Sequence, residues 1–180
     1  WILTGSQKAL ALPPGLAFGS ASERMLARAG TLTGRGQYFD LLEFDRYAKK
    51  HQTPNTPALT LIYALDVQLE RIAAEGVDER ARRHTEMAER CWSWTETVGA
   101  EAGLSLLAPA GLRSWTVTAI AMPDSLKGSE VTARLKERGY TIGSGYGKLK
   151  DATIRIGHMG DHTIDGLNRL LTELEEIVKG

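Results

Sequence analysis

Cysteine occurs once in these 180 residues, at Cys91, so no disulfide can close within the chain and a reducing compartment is expected. Charge of one sign is lacking too: 22 Lys and Arg stand against 22 Asp and Glu, giving a formal net charge of zero. Without a basic excess there is no electrostatic footprint for nucleic acid or an anionic membrane. No stretch approaches the roughly 20 apolar residues that a membrane span requires, and Trp1-Ile2-Leu3-Thr4 is too short to be a signal peptide. Internal repeats and low-complexity tracts are absent as well. What the chain does have is 42% apolar residues, enough to bury a core, which rules out disorder throughout. It opens on Trp1 rather than Met, and the expectation is a processed protein or the carboxy-terminal part of a longer one, cytoplasmic in location.

The pattern of residues predicts an α/β chain. Trp1–Thr4 reads as a buried strand ending at Gly5, and Leu16–Ser20 as a second short strand beyond Pro13-Pro14-Gly15. A helix capped by Ser20 or Ser22 should stop at Gly30, and Asp40 should open another that ends near Lys49-Lys50. Pro54 and Pro57 force an extended connector, after which Ile62, Leu65, Leu69 and Ile72 form a stripe on one helical face. From Val77 to Val98 a longer helix should bury Ala81, His84, Ala88, Cys91, Thr95 and Val98 and leave Asp78, Glu79, Arg80, Arg82 and Arg83 in water. Short strands and helices then alternate: strand 116–121, helix 128–138, strand 153–156 and a final helix 164–178. The break in pattern at Gly76 divides the chain into residues 1–76, the end of one α/β domain, and residues 77–180, a small α/β domain of its own.

Several residues could carry chemistry. Lys8 follows a strand directly, in a loop bounded by Gly5-Ser6 and Pro-Pro-Gly, where its amine is a candidate nucleophile as well as an ordinary solvated cation. Arg155 is flanked by Ile154 and Ile156 and leaves its strand on the face opposite theirs. That face is either wet surface or the wall of a cleft where a guanidinium takes a carboxylate in two hydrogen bonds. His158, Asp161 and His162 raise the question of a metal, but Gly157 and Gly160 mark a turn, and no metal is expected; Asp161 or Thr163 as cap of the last helix is the simpler role. Gly143–Lys148 is one residue short of a phosphate loop and reads as a glycine-rich connector. His51-Gln52-Thr53 could hold an anion or could be plain turn chemistry.

Taken together, Thr4-Gly5-Ser6-Gln7-Lys8-Ala9-Leu10, Pro13-Pro14-Gly15, His51-Gln52-Thr53-Pro54 and Arg155-Ile156-Gly157-His158-Met159-Gly160 resemble the class V pyridoxal-phosphate-dependent aminotransferases, within them the alanine–glyoxylate and serine–pyruvate group. The resemblance runs the length of the chain and matches the carboxy-terminal half of that family's type I fold. It implies residues 1–76 as the end of the large cofactor-binding domain and 77–180 as the small domain. It implies further that Lys8 condenses with the aldehyde of pyridoxal 5'-phosphate, that Gln7 and Thr53 bind the cofactor phosphate, and that Arg155 holds the substrate α-carboxylate. Thr53 would reach the phosphate of a partner subunit, so the resemblance also implies a homodimer with shared active sites. The implied reaction moves an amino group between a small amino acid such as alanine or serine and a 2-oxo acid such as glyoxylate or pyruvate. Two other readings stand beside it: another enzyme of the same class, a lyase or a desulfurase, and a non-catalytic dimerisation module. A desulfurase needs a mobile nucleophilic cysteine, which Cys91 in mid-helix is poorly placed to be.

Overall fold

The computed structural model describes residues 1–180, and the chain divides into two compact units, Trp1–Arg71 and Ile72–Gly180. In the first, β1 (Ile2–Gly5) and β2 (Ala17–Ser20) pair antiparallel, with Ile2 opposite Ser20 and Gly5 opposite Ala17. The strand expected at Trp1–Thr4 is there, but it is not buried: Ile2 and Leu3 are 73% and 65% exposed, because this two-stranded ribbon has no third strand. Ser22 caps α1 (Glu23–Gly30), accepting from the Met25 amide, and Asp40 caps α2 (Leu41–Ala48), accepting from Leu42 at 3.0 Å. Asp40 also accepts from Arg35 Nε at 2.9 Å, which ties the loop between the two helices to the cap and holds that carboxyl below the usual carboxylate pKa range. α3 (Leu59–Glu75) is helical as expected, yet its predicted stripe is open, with Ile62 and Leu69 exposed. Apolar residues lie all around this helix, Leu59, Tyr63 and Val67 among them, so periodicity alone marks no single inward face.

The second unit holds the core. Gly76, with φ +88°, separates α3 from α4 (Val77–Trp94), whose last turn runs on into one π-helical turn, Thr95–Gly99. Four antiparallel strands follow in the spatial order β3 (Ser105–Leu106), β4 (Val117–Ala121), β6 (Thr153–Gly157), β5 (Gly143–Ser144). Between them come α5 (Gly128–Glu137) and, last in the chain, α6 (Ile164–Lys179), capped by Thr163 rather than Asp161. Leu167, Leu170, Leu171, Leu174, Ile177 and Val178 follow the three-and-four spacing of one helical face and are all buried. They meet Met87 and Cys91 of α4, Val131 and Leu135 of α5, and Ile120, Ile154 and Ile156 of the sheet. Each such side chain contributes about 1.5–3 kcal/mol before conformational entropy is charged against it. The helices thus cover the sheet face that carries Ile154 and Ile156, and Arg155 stands on the other. Gly143, expected in a connector, is a strand residue paired with Arg155.

Candidate functional site

The loop that carries Lys8 is built around Ser6. That residue is completely buried, and its hydroxyl donates to the Pro13 carbonyl at 2.7 Å while accepting from the Leu16 amide at 3.2 Å. Its main chain completes the bracing: Ser6 N donates to Leu16 O at 3.0 Å, and Leu12 N to Ser6 O at 3.0 Å. Inside this frame Ala11 N donates to Lys8 O at 2.9 Å, with Ala11 in the left-handed region at φ +54°. Proline rigidity at positions 13 and 14 and the hydroxyl of Ser6 together fix the backbone from which Lys8 projects. Gln7 and Lys8 both face outward. The Gln7 amide folds back over Gly5, where a Cβ would lie 2.6 Å from Gln7 Oε1, so the glycine makes room for that rotamer. No hydrogen bond or ion pair ties down the Lys8 ammonium.

Thr53 lies in the same unit, in the connector after α2. His51, at φ +56°, occupies the left-handed position that closes the helix, with His51 N donating to Ala48 O at 2.9 Å and Gln52 N to Tyr47 O at 3.0 Å. Those two amides are therefore consumed by the helix end, and the Thr53 hydroxyl donates to Asn55 O at 2.7 Å. Turn chemistry accounts for all three groups. A phosphate here would need the Thr53 hydroxyl to swing away from Asn55.

Arg155 belongs to the second unit. It sits mid-strand in β6, exposed, opposite Ala119 of β4 on one side and Gly143 of β5 on the other. Its Nε donates to the Ser144 carbonyl at 2.9 Å. Behind the strand, the following loop is held from α4. Arg80, expected in water, is 8% exposed and pairs with Glu75 at 2.7 Å and Asp161 at 2.9 Å. Arg83 pairs with Glu75 at 2.7 Å and donates to the carbonyls of Gly160, at 3.0 Å, and His162; His84 Nε2 lies 3.3 Å from Gly160 O. The Arg83 and Arg80 guanidiniums hold the Glu75 carboxyl down at about 2. Ala81, expected in the core, is exposed, and Arg80 and Met87 are buried on that helix instead.

His158 is completely buried with Nε2 2.8 Å from Thr118 Oγ1, and burial pushes it down to about 4, so it is a neutral core histidine. Asp161 is committed to Arg80, and Thr163 to the α6 cap. Cys91 is buried as expected, and burial pushes its thiol up to about 12, far from a nucleophilic thiolate. Sequence reasoning missed Ser6, Ser144 and Gly143. For Ser6 the only local signal was a hydroxyl between Gly5 and Lys8; for the strand pair 143–144 two small residues gave none.

No family model matches the chain. It is 37% identical over 161 residues to an uncharacterized aminotransferase of Methanocaldococcus jannaschii, covering 88% of this chain and 41% of that one. Serine–glyoxylate aminotransferase of Arabidopsis thaliana is 32% identical over 185 residues, 98% of this chain and 44% of that one. Among solved structures, an alanine–glyoxylate aminotransferase of Nostoc sp. superposes with a TM-score of 0.84 at 28% identity, over 98% of this chain and 47% of that one. The chain thus spans less than half the length of these relatives, as a carboxy-terminal half would. Similar over 88–98% of its length to these aminotransferases, and folded like one of known structure, the chain belongs to the class V aminotransferase family.

Proposed function

We propose that this chain is the carboxy-terminal half of a pyridoxal-phosphate-dependent aminotransferase that moves an amino group between a small amino acid, alanine or serine, and glyoxylate or pyruvate. The observation that carries the reading is the 32–37% identity, over 88–98% of the chain, to proteins named aminotransferases, one of them for serine and glyoxylate. Residues 1–76 would complete the cofactor domain and 77–180 form the small domain of a cytoplasmic homodimer. The donor set suits the cofactor: an exposed primary amine with no competing partner projects from a braced turn, beside an amide that can donate to a phosphate.

When bound, pyridoxal phosphate supplies the aldehyde that accepts the amino group and the conjugated ring that withdraws electrons from the substrate α-carbon. This chain's own residues do the rest. Lys8 Nζ would hold the cofactor by its aldehyde and, when free, would take the proton from the substrate α-carbon and deliver it to the cofactor. Gln7 would donate its amide hydrogens to a phosphate oxygen, and the Thr53 hydroxyl, turned away from Asn55 O, would do so for the second copy. Arg155 fixes the α-carboxylate and so orients the bond to be broken. A desulfurase of the same fold finds no support in Cys91, whose buried thiol is held in its neutral form.

The test is the full-length protein with Lys8→Ala. The visible absorption of the covalently attached cofactor should vanish, and alanine–glyoxylate exchange should fall by a factor of about 10³ or more. A variant that keeps both would remove Lys8 from the reaction.

A further inference from the structure

A guanidinium offers a carboxylate two bidentate edges, the Nε/Nη2 side and the Nη1/Nη2 end. In Arg155 the side edge is already committed, because Nε donates to the Ser144 carbonyl of β5. The register between β5 and β6 sets this up. Gly143 is the direct partner of Arg155, and a Cβ built there would stand 3.2 Å from Nη2, 3.4 Å from Nε and 3.5 Å from Cζ. The head of the arginine therefore lies over the spot where any other residue would carry its side chain. On the opposite flank the partner is Ala119, which adds only a methyl group.

We infer that Gly143 and the Ser144 carbonyl are positioning residues of the carboxylate clamp: they lay the Arg155 guanidinium along β5 and present its Nη1/Nη2 end to the ligand. This rests on Arg155 being the clamp for the substrate carboxylate. Positioning and folding are separable at Gly143 because it is not among the residues at positive φ, so its backbone suits any L-residue. A side chain added at 143 costs the arginine its seat and costs the strand little. An arginine pushed off Ser144 keeps its charge and loses its orientation, so carboxylate affinity drops without loss of the cofactor site.

The experiment uses the full-length holoenzyme with Gly143→Ala, Gly143→Val and Arg155→Ala, and propanoate as an unreactive carboxylate probe measured by calorimetry. Gly143→Val should weaken propanoate and raise KM for alanine about tenfold, with kcat within about twofold and the cofactor spectrum and Tm unchanged. Gly143→Ala should move both constants the same way by about threefold, since the added methyl displaces the guanidinium only slightly. If Arg155→Ala abolishes propanoate binding and both Gly143 variants bind it like the parent, the positioning role is overturned and the clamp stands. If Arg155→Ala itself binds propanoate like the parent, the clamp falls and the inference with it. Should Gly143→Val fold poorly, the alanine variant decides, because Gly→Ala at an extended position carries no backbone strain.

Discussion

The hydroxyl of Ser6 makes one donated and one accepted hydrogen bond, both to main-chain groups of the far side of its loop. Removing it leaves the Leu16 amide without its side-chain acceptor and the Pro13 carbonyl without a donor, in a place where Ser6 itself admits no water. Ser6→Ala should therefore cost about 1–3 kcal/mol in denaturant unfolding, and the Leu12 and Leu16 amides should exchange faster with solvent. A variant with parental stability and exchange would mean that the prolines alone hold the loop. Ala11 adds to the demand on this frame, since a left-handed alanine costs roughly 1–2 kcal/mol that the surrounding hydrogen bonds must offset. The motif around Lys8 was legible as a string of residue types. That the serine is the buried member and the lysine the exposed one was not, because burial here depends on Pro13 and Leu16 returning across the turn.

At the scale of elements, what could be read locally was read well. The caps Ser22 and Asp40 and the last helix, expected over 164–178 and found at Ile164–Lys179, each depend on residues within a turn or two of one another. Arg80 shows the limit: its partner Asp161 is 81 positions away, so the helix pattern assigned it to water while the fold buried it between two carboxylates. α4 carries a built-in comparison two residues further on. Arg82 pairs only with Glu79 and Glu86 on its own helix, on the exposed face. Arg80→Ala should destabilise the protein by about 1–3 kcal/mol, since Asp161 loses its cation and Glu75 keeps only Arg83, and Arg82→Ala should leave Tm unchanged within error. Equal effects in thermal unfolding would show that the Arg80 pairs are worth no more than surface ones. The loop from His158 to Thr163, behind the strand that carries Arg155, is the part that α4 holds in this way.

For the molecule as a whole, apolar burial is divided very unequally. The cluster that includes Met87, Leu135, Ile154 and Leu174 lies entirely within residues 72–180, whereas in residues 1–71 the buried positions are Ser6, Ala29 and Gln68. The first unit has a two-stranded ribbon, two helices of eight residues and most of α3, with Phe39, Tyr63 and Val67 exposed. A lone hairpin and helices below about 12 residues are each marginal in water, and without a core nothing makes them cooperative. No helix of the chain is long and apolar enough to cross a membrane, so a bilayer does not stand in for that core through a helical span. Residues 72–180 expressed alone should consequently unfold in urea as a single cooperative transition seen alike by circular dichroism and tryptophan fluorescence. Residues 1–71 alone should show a broad, non-cooperative loss of helix. A sharp transition in the shorter piece would mean that its ribbon and helices supply more cohesion than their burial indicates. A drifting baseline in the longer one would mean that its sheet and helices depend on chain outside them.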